Sequence, residues 1–199
     1  MRKAFVGVAG LIGAGKTTLA EKISKSMNLP LFTEPVSENE YLDEFYRDPK
    51  KYGFPMQVYL LNHRFQQHQE LVWKSGGGVQ DRTIYEDSVF AQVLHDQGMM
   101  SHKDYRTYEH LSENMFHFLR EPDLILYLDV TPEQALSRIV HRNREMEAGI
   151  TLEYLQGLSF RYEEFYDRIS KRVNTVRLDW NDFGHGLQVA DILNGICDD

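Results

Sequence analysis

Residues Gly10-Leu11-Ile12-Gly13-Ala14-Gly15-Lys16-Thr17 spell a complete GxxxxGK[ST] loop, and the segments on either side restrict what the chain can fold into. Ahead of the loop, Ala4–Ala9 is an apolar run of buried-strand length. Behind it, Thr18-Leu19-Ala20-Glu21-Lys22-Ile23 reads as a helix. Strand, glycine loop and helix in that order make a phosphate cradle. Gly10, Gly13 and Gly15 let the backbone close around phosphate oxygens. The loop amides and the helix N-terminus then present a partial positive field to a polyanion. Lys16 is placed to reach the terminal phosphates and Thr17 to ligate Mg²⁺, with Ala14 and Thr18 in the same phosphate-binding set. The loop implies a nucleoside triphosphate. It leaves open what is done with it.

A chain of 199 residues is expected to form one domain, 1–199, with an ample core. Its formal charge of −8 argues against nonspecific nucleic-acid binding, which is mainly electrostatic. A local basic pocket can still take a small anion. Cys197 is the single cysteine, so no intrachain disulfide forms, which fits a reducing compartment. No apolar stretch has the length of a membrane span, and the N-terminal apolar run enters the phosphate loop directly rather than ending as a signal peptide. The expectation is a cytoplasmic protein with no nucleic-acid or membrane partner.

Strands are expected at 4–9, 31–33, 79–81, 124–128 and 175–178, separated by helices at 18–28, 38–46, 56–73, 87–95, 102–120, 132 onward, 152–172 and 187–196. Asp48-Pro49 and Tyr52-Gly53-Phe54-Pro55 read as turns. In the 56–73 helix, Met56, Tyr59, Leu60, His63, Gln67 and Leu71 fall near one face. Leu124–Leu128 is the clearest strand, a continuous apolar run suited to cover on both faces. The alternation predicts a five-stranded, mainly parallel α/β sheet flanked by helices. In such a sheet the site lies beyond the carboxyl ends of the strands. The phosphate loop, Glu34 and Asp81 each follow a strand and should share that crevice.

Phosphoryl transfer needs a positioned nucleophile, a metal holder and positive charge over the moving group. Glu34 is suited to orient a hydroxyl and accept its proton; the competing role is an ordinary surface or capping carboxylate. Asp81 can hold Mg²⁺ and Arg82 can span Glu34 and the reacting oxygens, against a plain structural ion pair. Asp129 competes as the metal residue but leads into a Pro-started helix, where a carboxylate has ordinary structural use. Arg138 and Arg142 share a helix face and, with Arg144, either close over phosphates as a lid or form a solvated basic face. Asp182-Phe183-Gly184 looks like a protein-kinase metal motif, but the companion H-R-D loop is absent. The eight histidines show no zinc-ligand spacing.

Glu34-Pro35-Val36, Tyr46 to Gln57, Asp81-Arg82-Thr83-Ile84-Tyr85-Glu86-Asp87 and Arg138 to Gly149 together resemble the deoxynucleoside kinase family, in order and with matching gaps. The resemblance implies a P-loop kinase three-layer sandwich with an arginine-rich lid over about 138–149. It implies Glu34 as the general base for the nucleoside 5′-hydroxyl, Arg82 beside that hydroxyl, and Asp81 linked to Mg²⁺ with Thr17. Tyr46 and Glu147 match the pair that binds the sugar 3′-hydroxyl, Gln57 the amide that reads the base edge, and Arg138, Arg142 and Arg144 the lid. Arg64 and Asp87 match an arginine and an aspartate of the purine- and cytosine-accepting members, which favours deoxyadenosine or deoxyguanosine and keeps deoxycytidine open. Asp81 and Thr83 stand where the animal enzymes have Glu and Ser, and Ala91 where some members place a bulky aromatic against the base. ATP as donor, Mg²⁺ and a homodimer through helices around 56–73 and 102–120 are further implications.

A thymidylate-kinase-like nucleoside monophosphate kinase shares the fold and an Asp-Arg motif, but its second-strand Glu-Pro usually leads into Gly-Gly, whereas here Val36-Ser37 follows. A GTPase switch would need guanine-recognition and D-x-x-G segments that are not in place. A noncatalytic nucleotide-binding module fits poorly with so full a set of charged candidates.

Overall fold

Strand β1 (Phe5–Gly10) is buried along its whole length, because it is the middle strand of a five-stranded sheet in the order β2-β3-β1-β4-β5. The computed structural model describes residues 3–33, 39–144, 147 and 149–183. The other strands are β2 (Leu31–Phe32), β3 (Gly78–Asp81), β4 (Leu124–Asp129) and β5 (Thr175–Asp179), and every pairing is parallel. This is the expected α/β sheet flanked by helices. β1 pairs with β3 so that Val8 lies opposite Asp81, and with β4 so that Gly10 lies opposite Leu128. The carboxyl ends of β1 and β3 therefore open side by side, at the edge where α/β sheets hold their ligands.

The helices are α1 (Lys16–Met27), α2 (Leu42–Arg47), α3 (Pro49–Gln69), α4 (Asp87–Asp96), α5 (His102–Phe116), α6 (Pro132–Arg142) and α7 (Leu152–Ile169). α3 continues into one π-helical turn, Glu70–Lys74. β4 buries Leu124 to Leu128 completely, as its unbroken apolar run requires. β3 is weak by composition, yet all four of its residues are buried. Glycine makes that approach feasible: a Cβ on Gly77 would lie 2.5 Å from the Lys3 and Ala4 carbonyl oxygens.

Segment 48–55 departs from the expected turns. Asp48 is the N-cap of α3, accepting a hydrogen bond from the Lys51 amide at 3.2 Å, and Pro49 opens the helix. A proline at the first helical position gives up only an amide that would have no helical partner, so Asp-Pro here starts a helix. Pro55 lies inside α3. The buried face of α3 also differs from the apolar stripe expected: it carries Gly53, Met56, Gln57, Leu61, Arg64 and His68. Three polar side chains point inward, which removes the hydrophobic period that would mark the inner face. α5 and α7 end earlier than expected, at Phe116 and Ile169. Glu34, the expected helix at 187–196 and Cys197 lie outside the described residues. Among the described residues no helix is long and apolar enough to cross a membrane.

Candidate active site

A cavity of about 850 Å³ opens at the carboxyl ends of β1 and β3. Gly13, Gly15, Lys16, Thr17 and Thr18 form one end of it. Gly13 and Gly15 have φ of +82° and +93°, and a Cβ on Gly13 would sit 2.6 Å from the Ala135 carbonyl oxygen. Only glycine fits that loop path. Lys16 donates to the Gly10 and Leu11 carbonyl oxygens at 2.9 and 2.7 Å, so its ammonium lies along the loop rim. The Thr17 hydroxyl donates to Asp81 Oδ2 at 2.5 Å, which brings the two expected metal residues together. Hydroxyl and carboxylate are hard oxygen ligands, and Mg²⁺ typically takes one or two such groups plus waters and substrate phosphates. Among the described residues no group of three or more His, Cys, Asp or Glu could hold a metal ion.

Arg82 follows β3 and is 3% exposed, yet lines the cavity. Its backbone has φ +67°, a region that costs a non-glycine residue about 1–3 kcal/mol. The Arg82 amide donates to the Val8 carbonyl at 3.0 Å, extending the β1–β3 pairing by one residue. Its guanidinium donates to the Tyr162 hydroxyl at 2.6 Å and lies 4.5 Å from the Phe90 ring centre. Tyr162 in turn donates to Glu86 Oε2 at 2.5 Å, and burial pushes its phenol well above the usual range, so it keeps its proton.

The opposite wall is α3. Met56, Leu60 and Arg64 line the cavity from one helix face, and Gln57 lies two turns before Arg64, buried behind that wall. Arg64 Nη1 meets Asp87 Oδ1 at 2.5 Å, with both side chains almost fully buried. Burial pushes the Asp87 carboxyl up to about 7, against the downward pull of the Arg64 cation. Among the described residues Asp87 Oδ2 and Gln57 Nε2 have no hydrogen-bond partner. Such orphaned buried groups are rare in native proteins and point to a ligand or water.

Tyr46, Arg142, Arg144 and Glu147 also line the cavity. Glu147 accepts from Arg142 at 2.5 and 2.7 Å and faces Arg144 at 3.8 Å. Arg138 lies elsewhere: it donates to the carbonyl oxygens of Ala14, Trp180 and Asn181, and its guanidinium stacks 3.9 Å from the Phe183 ring centre. It ties the phosphate loop to the turn after β5. Asp129, the rival metal residue, is held by Arg177 at 2.8 Å and does not line the cavity.

Three side chains in or beside the site escaped the sequence reading: Phe90, Glu86 and Tyr162. Phe90 lines the cavity while its neighbour Ala91 is fully buried. Glu86 carries a local signal, since Thr83 and Glu86 have capping-box spacing and do form that box. Tyr162 lies 76 residues beyond Glu86, and no local pattern joins them.

The family model described as deoxynucleoside kinase matches residues 6–192. Among curated relatives, a deoxyadenosine kinase of Dictyostelium discoideum is 52% identical over 94% of this chain and 77% of its own length. A deoxyadenosine/deoxycytidine kinase of Bacillus subtilis is 38% identical over 82% of this chain and 77% of its own. Among solved structures, the M. mycoides deoxyadenosine kinase with bound dATP superposes with a TM-score of 0.86 at 33% identity, covering 98% of this chain and 99% of that one. These relatives are nucleoside kinases, so the monophosphate-kinase alternative is not favoured.

Proposed function

The chain belongs to the deoxynucleoside kinase family and is a nucleoside-phosphorylating enzyme, and from that premise we propose that it transfers a phosphoryl group from ATP to the 5′-hydroxyl of a purine deoxynucleoside, deoxyadenosine first. The observation that supports the purine reading is the buried Arg64–Asp87 pair beside Gln57, with an acceptor at Asp87 Oδ2 and a donor at Gln57 Nε2 left over. An adenine edge offers both partners: a 6-amino group that donates and ring nitrogens that accept. The 52% identical deoxyadenosine kinase supports the same choice.

In this reading Glu34 takes the proton as the 5′-oxygen attacks the γ-phosphorus. The bond to the β–γ bridging oxygen breaks, and ADP leaves. Arg82 holds the 5′-oxygen, Lys16 and the loop amides hold the donor phosphates, and Tyr46 with Glu147 binds the 3′-hydroxyl. Arg142 and Arg144 offer charge to the moving group from the lid side, and Arg138 holds the phosphate loop through the Ala14 carbonyl. Thr17 and Asp81 would hold Mg²⁺, which when bound neutralises triphosphate charge. The same reading makes residues 1–199 one cytoplasmic domain and the molecule a homodimer; exposed Trp73 in the π-helical turn after α3, Leu111 on α5 and Phe118 just after it supply apolar surface for that contact.

The base assignment is tested by kcat/KM for the four deoxynucleosides with ATP. Deoxyadenosine should lead, and thymidine, which has no amino group for Asp87, should trail by at least about a hundredfold, since a site built for a hydrogen bond rejects analogues that lack it. Thymidine as the preferred substrate would overturn the assignment.

A further inference from the structure

Glu86 is fully buried, and its carboxylate joins three parts of the fold. Oε1 accepts from the Thr83 amide at 3.0 Å. Oε2 accepts from the Tyr162 hydroxyl at 2.5 Å and from the Gly10 amide at 3.4 Å, and faces Arg82 Nη1 at 3.5 Å. Gly10 is the last residue of β1 and the first of the phosphate loop, Arg82 lines the cavity, and Tyr162 belongs to α7. A buried carboxylate costs several kcal/mol unless charge and hydrogen bonds meet it on every side. Its retention at this junction calls for a reason beyond packing. The Tyr162 hydroxyl donates to Glu86 and accepts from Arg82, so it is the link between the carboxylate and the guanidinium. Arg82 itself sits in a strained backbone conformation that its surroundings must impose.

We propose that Glu86 and Tyr162 are positioning residues for phosphoryl transfer: together they fix the Arg82 guanidinium and the start of the phosphate loop in one register, so that acceptor oxygen and donor phosphate meet in line. The inference rests on the reading of Arg82 as the group beside the 5′-hydroxyl. Neither residue reaches the cavity, so each acts through Arg82 and Gly10. Tyr162→Phe keeps the ring packing and removes the link.

The test is a double-mutant cycle in the full-length protein, measuring kcat and KM for deoxyadenosine and ATP, with the melting temperature recorded alongside. Tyr162→Phe should lower kcat about ten- to a hundredfold, the scale of small misplacements of reacting groups, and leave both KM values within about threefold. In an Arg82→Ala background the same change should have no further effect on kcat. Glu86→Gln should follow the same pattern, and if it does not fold, Tyr162→Phe alone carries the test. Tyr162→Phe with normal kcat, or with a lower melting temperature only, overturns the positioning role. An equal loss with and without Arg82 also overturns it, because the residue then acts by another route. Arg82→Ala with normal kcat would instead remove the Arg82 premise, a result read from that single variant alone.

Discussion

Glu34→Gln is expected to bind deoxyadenosine with an unchanged Kd while turning it over about a hundred- to ten-thousandfold more slowly, the usual contribution of a positioned proton acceptor. Glutamine has the shape of glutamate and still hydrogen-bonds a hydroxyl, so ground-state binding survives. It cannot accept the proton released as the 5′-oxygen attacks, so the loss falls on kcat. Calorimetric titration gives Kd, and a coupled ADP assay gives kcat. Unchanged turnover would move the base elsewhere, with Asp81 a carboxylate on the cavity wall.

Arg64→Met is expected to damage both recognition and stability, and the stability loss should depend on pH. In the native protein burial raises the Asp87 carboxyl from 3.8 to about 7 while the Arg64 cation restrains it. A carboxyl raised on folding binds its proton more tightly in the folded state. Its favourable contribution is therefore fully present at pH below about 4 and is lost as pH rises to 7. Without Arg64 that loss continues above 7, at up to about 1.4 kcal/mol per pH unit. The stability gap between variant and native protein should widen from pH 7 to 9 by up to about 2 kcal/mol, read by urea denaturation at both pH values. A gap of constant size would mean that Asp87 is not the group left behind. The kcat/KM for deoxyadenosine should fall about ten- to a hundredfold, the value of a hydrogen bond to a charged group.

Much of this site was legible because its residues follow strands. Lys16, Thr17, Asp81 and Arg82 come from loop and strand ends whose positions the alternation of elements dictates, and the structure brings them to one cavity. α3 was harder to read. Its inner face carries Gln57, Arg64 and His68, so the helix looks irregular by hydrophobic pattern. Pro49 added a turn signal that the Asp48 cap and its own first-turn position override, and Pro55 added another although it lies inside α3. The Glu86–Tyr162–Arg82 contact was not legible, because it joins residues 80 and 76 apart in sequence through a helix with its own separate periodicity. Arg138 shows the converse. Its spacing from Arg142 places both on α6, yet the two guanidinium groups serve different ends, one on the Ala14, Trp180 and Asn181 carbonyls and one on Glu147. Long side chains on one helix face can still reach in different directions, and shared spacing does not decide which neighbour each finds.

The half of the cavity facing the phosphate loop is expected to accept a neutral nucleoside. It is tested most directly by supplying ATP with either deoxyadenosine or deoxyadenosine 5′-monophosphate and identifying the products by phosphorus NMR. The expected products are the 5′-monophosphate and ADP in equal amounts from the nucleoside, and no diphosphate from the monophosphate. Phosphorylation of the monophosphate with the nucleoside left untouched would contradict it.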